Sequence, residues 1–444
     1  MNFLIESKPS EKVFWKSLKT NNSQKPLLEG VNLNEEEKLE VLAKHFEATF
    51  NNKEGTRQTN FFKYYKTLKF NKEITLNEFE MNLNKLKPKE SSGFDLISNK
   101  IIKLFPLTVK NELLKIFNAS FKFGYVPKIW KIAKIILILK KNSDPKLPAS
   151  YRPISLLSCV GKLLERIINT RLTEWAESKN ILVDEQSGFR KGRSTQNAIF
   201  KLIESVSKKF KKKQKTGLVL YDFAKAFDTI SHVGILKILN KLRCPVAIGN
   251  WVQSYLDNRS FKIWNEKKSS SEKIIKSGVP QGGCLSALLF ALFINDLGKK
   301  LKKLSPKLNF TLFADDVSVW CSHSKINCIN KTLQKATMII KKFAENRGLK
   351  INVEKCNYLI IARNFNRPSY IFSSNLNLNI NGVQIKKTEY PTLLGITLDN
   401  PKLENLLNKS KLPPHYLQIT NYVPYTIQYS TIRNYLKENK KRLT

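Results

Sequence analysis

The stretch TLFADDVSVW, residues 311 to 320, sets two aspartates side by side inside an otherwise apolar, strand-like run. Neighbouring carboxylates repel, and taking either out of water without a cation or a donor is costly. A fold that includes this segment has to bring something positive to it. Taken alone the pair has a plainer reading, because aspartates favour turns and tip hairpins for local reasons. Apolar residues on both flanks argue against an exposed turn.

The rest of the chain points to a polyanionic partner. Lys and Arg number 77 against 36 Asp and Glu, a formal charge of +41 over 444 residues. That excess is far beyond what solubility needs and suggests nucleic acid first, an acidic membrane surface second. The membrane surface accounts for none of the aspartates and ranks last. An apolar fraction of 41% supports a proper core. No apolar run reaches the length of a membrane span, and MNFLIESKPSEK lacks the basic-then-apolar order of a signal peptide. The expectation is a soluble intracellular protein with no membrane partner. The six cysteines are scattered without a C-x-x-C; Cys321, His323 and Cys328 form the one tight group and lack a fourth zinc ligand.

Periodicity outlines the organisation. In NEEEKLEVLAKHFEATF the apolar Leu39, Leu42, Phe46 and Phe50 recur at helical spacing. KIAKIILILKK is short enough for a strand and is followed by a DPKLP turn. KKFKKKQK, residues 208 to 215, holds six lysines in eight positions; a solvated helix end explains it most simply, and a phosphate-facing role comes second. TGLVLYDFAKAF reads as a strand opening into a helix, SGVPQGG as a tight turn, and CLSALLFALFINDL as a buried helix. An amphipathic helix from about Asn327 to Asn346, a strand NYLIIA and a hairpin over 378–399 follow. Strands and helices do not alternate regularly, so the expected class is α+β.

Asp222 sits where an apolar strand ends, and Asp315 with Asp316 sits where a hairpin turns. Pairing of adjacent antiparallel strands would bring the two sites together. A cluster of aspartates without histidine suits magnesium, which prefers hard oxygen ligands and keeps room for water and phosphates. Two ions roughly 3.5–4 Å apart would activate a hydroxyl and stabilise the leaving oxygen, the chemistry of nucleotidyl transfer.

LYDFAKAFDTISH, SGVPQGGCLSALLFALFINDL, LFADDVSVW, GLKINVEKCNYLII and LLGITLD stand in the order of polymerase motifs A to E, and the chain resembles reverse transcriptases of non-LTR retrotransposons. VPKIWKIAKIILILKKNSDPKLPASYRPISLLSCVGKLLERIINTRL and DEQSGFRKGRSTQNAI are similar to the finger blocks, and the match is best with the jockey-like group over roughly residues 30 to 400. The resemblance implies a right-hand polymerase with fingers, palm and a truncated or missing thumb. Its parts would be a lead-in over 1–70, fingers over 71–215, a palm over 216–400 with an insertion at 243–275 packing on the fingers, and a divergent thumb remnant over 401–444.

By the same resemblance Asp222, Asp315 and Asp316 are metal ligands for two Mg2+ ions, replaceable by Mn2+, with Asp315 a safer direct ligand than Asp316. Asp228 is expected to support structure more than to hold metal. Lys355 matches the lysine suited to protonating pyrophosphate. Phe227 matches the steric gate against a ribose 2′-hydroxyl, although a core aromatic is its plain reading. Gln281 and Gly282 would approach the incoming nucleotide, Arg152 and Lys140 would hold its triphosphate, and Arg190 and Arg193 would steady the fingers or the template, with a structural ion pair as the plainer reading of either. The implied partners are an RNA template, a DNA primer or target, and deoxynucleotides. Full-length relatives carry an endonuclease domain, which is not visible here, and act in nucleus or cytoplasm.

Some positions depart from the family pattern: Gly283 and Ala287 stand where Ser and Pro are usual, and Leu139, Ser143 and Phe94 where Pro, Lys and Pro are. None removes a ligand. Two other classes compete: a nucleic-acid-binding remnant without synthesis, and an RNA-directed RNA polymerase, which should not carry a bulky aromatic at Phe227.

Overall fold

The computed structural model describes residues 27–51, 72–140, 143–210, 212–265, 268–362 and 375–398. The expected thumb remnant over 401–444 and the first part of the lead-in lie outside them.

Helix α1 (Glu35–Phe50) starts with a capping box: Asn34 accepts from the Glu37 amide, and the Glu37 side chain accepts from the Asn34 amide. Its periodic residues Leu39, Leu42, Phe46 and Phe50 are all buried. They pack with Ala133, Ile135, Phe261 and Ile263 in a small core. Part of the stretch read as a lead-in is therefore a docked helix, because its apolar stripe finds a sheet to cover.

That sheet is built on β1 (Ile132–Leu139), which pairs antiparallel with β2 (Tyr151–Leu156) and parallel with β4 (Arg259–Asn265). β4 also pairs with β5 (Lys268–Ser269) and β6 (Lys273–Ile275). Helices α2 (Leu76–Asn84), α3 (Leu107–Phe123), α4 (Cys159–Ser178) and α6 (His232–Lys241) belong to a larger core through Phe79, Phe117, Leu163 and Leu239. Within 243–275, α7 (Val246–Leu256) packs on α3, where the Trp251 indole donates to Ser120 Oγ at 3.1 Å, and β4 runs inside the sheet.

The second sheet has the order β10–β9–β3–β8–β7, made of β3 (Lys215–Tyr221), β7 (Leu308–Phe313), β8 (Asp316–His323), β9 (Asn357–Ile361) and β10 (Lys386–Lys387). One face meets α8 (Ser286–Leu304) and α9 (Ile326–Arg347) in the main core through Val219, Tyr221, Val317 and Val319. Tyr221 anchors there, its hydroxyl 2.8 Å from Thr337 Oγ1. The other face, with Leu218, Leu220, Trp320 and Leu359, is covered by α5 (Thr195–Phe210) through Ile199, Leu202 and Val206. The strict period of two splits each strand between these cores. The expected last hairpin is two small ones, Asn379–Ile380 with Val383–Gln384 and Thr392–Leu393 with Ile396–Thr397.

Leu42 is fully buried under α1. Leu42→Ala is expected to cost about 2–5 kcal/mol of local stability. Hydrogen exchange should report it as faster opening of α1 and β1, with the β3–β8 sheet unchanged; uniform opening of both sheets would show that the two cores unfold as one.

Candidate active site

The site forms where β3 and β8 end together. Tyr221 pairs with Val317 and Leu220 with Ser318. One further step of that register sets Asp222 across from Asp316, on the face opposite Tyr221. β7 and β8 close as a hairpin through the Phe313–Asp316 pair, leaving Ala314 and Asp315 as a two-residue loop. Ala314 has φ 56°, a value that favours glycine at this place in a tight hairpin, so the turn holding Asp315 is strained. Its neighbours impose the shape: the Ser187 amide donates to Leu312 O at 2.9 Å, and a Cβ on Gly188 would lie 2.6 Å from the Ala314 nitrogen.

All three aspartates are half-buried. Beyond Asp222 the chain turns away from the sheet, and Phe223–Ala224 pairs with Lys350–Ile351. The Asn352 amide donates to Asp222 O at 2.9 Å. Cys356 lies against Asp222; burial first, and then the aspartate charge, pushes its thiol up to about 11. The thiol stays protonated, which leaves carboxylate oxygens as the donors on offer, a set that fits a hard divalent cation. Among the described residues no three His, Cys, Asp or Glu side chains are gathered closely enough to hold a metal ion. The expected trio is present on adjoining strands and is not a formed ligand set.

Asp228 is a fourth carboxylate at this end of the sheet. Burial raises it to about 6, opposed by a 2.7 Å hydrogen bond from Gln281 Nε2 and by the charges of Lys225 and Lys140, while Asp315 pushes it further up. Gln281 is thereby fixed to the motif A turn. The loop around it is clamped from two sides: the Gly278 and Val279 amides donate to Ile230 O and Phe227 O, both at 2.8 Å, and Gln281 O accepts from Ser155 of β2 at 3.0 Å. Gly278 (φ 84°) and Gly282 (φ 125°) are required here, since a Cβ would lie 2.5 Å from Asp228 O and 2.7 Å from Ser155 O respectively. Half-buried His232 sits under the loop with Nε2 2.6 Å from Gly278 O; desolvation first lowers it to about 4.

Phe227 is half-buried, stacked on Phe290 at 4.6 Å with Phe189 edge-on at 6.4 Å. Phe189 also adjoins Phe313, and is exposed with φ 58°. Around the carboxylates stand four cations. Burial, and then the charges of Lys225, Arg152 and Lys355, hold the Lys140 ammonium below the usual lysine range. Lys140, Arg152 and Lys355 thus share one electrostatic neighbourhood. Lys225, which the sequence reading did not single out, belongs with them; its left-handed backbone (φ 49°) lets Nζ donate to Thr49 of α1 at 3.0 Å.

Arg190 and Arg193 are placed otherwise. Arg190 makes a two-pronged pair with Glu177, 2.8 and 2.7 Å, and Arg193 pairs with Asp184 at 3.1 Å. Arg190 ties the 184–193 loop to α4 and Arg193 folds it back on itself, so both steady this loop through ion pairs. Glu165 was also missed. Fully buried in α4, it accepts from the Leu285 amide at 2.7 Å and from the Tyr255 hydroxyl at 3.0 Å, so it supports the start of α8. A lone glutamate in a helical segment gives no sequence signal for this.

Asp228 and His232 oppose one another in acid. Asp228, raised in the folded state, contributes stability below its unfolded pKa of about 3.8 that is lost as pH rises through about 6. His232, lowered, contributes stability above about 6.5 that is lost as pH falls toward about 4. Removing the first leaves the second uncompensated. With divalent metal chelated, Asp228→Asn is expected to steepen the loss of stability between pH 6.5 and 4 by roughly 1–3 kcal/mol. Urea melts across that range check it, and an unchanged slope would refute the burial of Asp228 as the cause.

Residues 138–398 match the family model described as reverse transcriptase (RNA-dependent DNA polymerase). The chain is 32% identical over 329 residues to the RNA-directed DNA polymerase from mobile element jockey of Drosophila melanogaster, covering 73% of this chain and 35% of that protein. It is 30% identical over 380 residues to the probable RNA-directed DNA polymerase from transposon BS of the same organism, covering 82% and 41%. The chain thus spans well under half the length of these relatives. A solved apo telomerase from Candida tropicalis superposes with TM-score 0.44 at 14% identity, over 67% of this chain and 59% of that one, too loosely to argue from. The fold is the α+β right-hand polymerase of the matching family, and the chain belongs to the reverse transcriptases, in the jockey-like group of non-LTR retrotransposons.

Proposed function

We propose that this chain is the polymerase part of a mobile-element protein, extending a DNA primer on an RNA template during retrotransposition. The observation that carries the proposal is the strand register that sets Asp222 across from Asp316, beside Asp315 in its strained turn. Asp222, Asp315 and Asp316 would hold two Mg2+ ions, for which Mn2+ can substitute, and metal bound there supplies Lewis-acid activation of the primer hydroxyl and neutralisation of the leaving group.

The remaining steps belong to side chains. The primer 3′-oxygen bonds the α-phosphorus of a deoxynucleotide, and pyrophosphate leaves. Arg152 and Lys140 orient the triphosphate from the fingers strands, and Lys355 protonates or neutralises the departing pyrophosphate. Phe227, immobilised on Phe290, occupies the space a ribose 2′-hydroxyl needs. Gln281, held by Asp228, meets the sugar, and Gly282 lets backbone come close to the nucleotide.

Primer extension on poly(rA) with oligo(dT), in Mg2+ and separately in Mn2+, tests the proposal. Asp315→Ala is expected to lower extension roughly 100-fold or more while RNA binding is retained. No extension by the unaltered chain, with RNA binding intact, would instead favour the binding remnant. Phe227→Ala is expected to raise ribonucleotide use relative to deoxynucleotide use by roughly 10-fold or more. Equal discrimination in the variant would reduce Phe227 to a core aromatic.

A further inference from the structure

At the far end of the β7–β8 hairpin from the aspartates lies a cavity of about 770 Å3, between α5, the end of α8 and the hairpin. We propose that it is a second nucleic-acid site, which holds single-stranded RNA by its backbone. Lys201, Lys208, Lys209, Lys302 and Lys307 line it, against Glu185 and Glu204. Lys208 and Lys209 open the KKFKKKQK run, which the polymerase chemistry leaves without a role; its Lys211 lies outside the described residues.

The glutamates do not neutralise the cavity. Glu204 meets Lys208 at 2.7 Å and Glu185 meets Lys302 at 3.6 Å, with both lysine side chains more than half exposed. Such pairs are worth little in water and yield readily to a phosphate. The aromatic residues of the lining are not stacking platforms, since Trp320 and Phe310 are buried in the wall and Trp320 Nε1 donates to Ser205 Oγ at 3.1 Å. Recognition is therefore by charge along a backbone and is indifferent to base identity. The volume excludes a duplex. Gln214 in the lining would favour ribose over deoxyribose: its Oε1 is closed off from solvent and has no hydrogen-bond partner among the described residues, so it gains one when a strand seated there turns it outward. A 2′-hydroxyl is the donor that RNA has and DNA lacks.

The hairpin sets the distance to the active site. Leu308 and His323 line the cavity, while Phe313 and Asp316 close the other end. Five to seven strand residues span about 17–23 Å, or roughly five to seven stacked nucleotides. Resting on the proposed function for where the strand starts, the unpaired template beyond the active site would reach the cavity only when longer than that.

Equilibrium binding by fluorescence anisotropy, with metal chelated so that nothing reacts, tests this on RNA-template primers bearing 2 or 12 unpaired template nucleotides. The unaltered chain is expected to bind the longer overhang about 10-fold more tightly. The triple variant Lys208→Ala, Lys209→Ala, Lys307→Ala should lose that gain, with a log–log salt slope shallower by about 2, and should bind the shorter overhang within about twofold of the unaltered chain. The matching Lys→Arg triple should restore the gain, which separates charge from damage to the fold. No gain in the unaltered chain, or a gain kept by the Ala triple, overturns the proposal. An equal gain from a DNA overhang overturns the choice of RNA. Failure of primer extension would count against the proposed polymerase activity and leave the binding comparison readable.

Discussion

The pairing of β3 with β8 is the interaction on which the site depends. A slip of β3 by one residue in that register would turn Tyr221 and Val219 out of the main core and Asp222 into it, at a cost no nearby group could offset. The buried Tyr221 hydroxyl on Thr337 and the apolar residues on both faces make the slip prohibitive. The carboxylates therefore meet because the hydrophobic pattern around them fixes the strands. Their own interactions would drive them apart.

A second constraint joins the two halves of the site. The 278–283 loop is gripped by the Phe227 and Ile230 carbonyls on one side and by Ser155 of the other sheet on the second. Glu165 adds a third hold by accepting from the Leu285 amide, where α8 has no side-chain cap of its own. Buried charge of this kind is a poor source of stability but a strict one of geometry, since removing any partner leaves another polar group unsatisfied. Gly283 stands where the resemblance implies serine. Here Gly283 faces Glu165, Tyr255 and Ser286, and an added Cβ would come within 2.7–2.9 Å of their oxygens. The departure that the sequence showed as an oddity is thus matched to its surroundings.

The strands and the long helices were legible because their apolar residues follow periods of 2 and 3.6: the helix expected from about Asn327 to Asn346 is α9, Ile326–Arg347, and NYLIIA is β9. Resemblance supplied the identities of the aspartates, and register supplied their juxtaposition. What could not be read was whatever depends on long-range pairing. Arg190 and Arg193 were open between template and ion pair, and their partners, Glu177 on α4 and Asp184, could be named only from how the loop sits. Lys225 was one lysine among many until its left-handed backbone placed it beside Lys140. Residues 27–51 looked like a lead-in because a helical stripe does not say which surface it will cover.

Charge is arranged in the site so that each sign is concentrated and costly. Asp315 raises Asp228, and Lys225, Arg152 and Lys355 lower Lys140, so both sets repel within themselves. Polar contacts steady members of each set: Lys140 donates to Ala149 O, Lys225 to Thr49 and Gln281 to Asp228. A metal-bound nucleotide has the complementary layout, cations toward the carboxylates and phosphates toward the lysines. Its binding would relieve both repulsions at once.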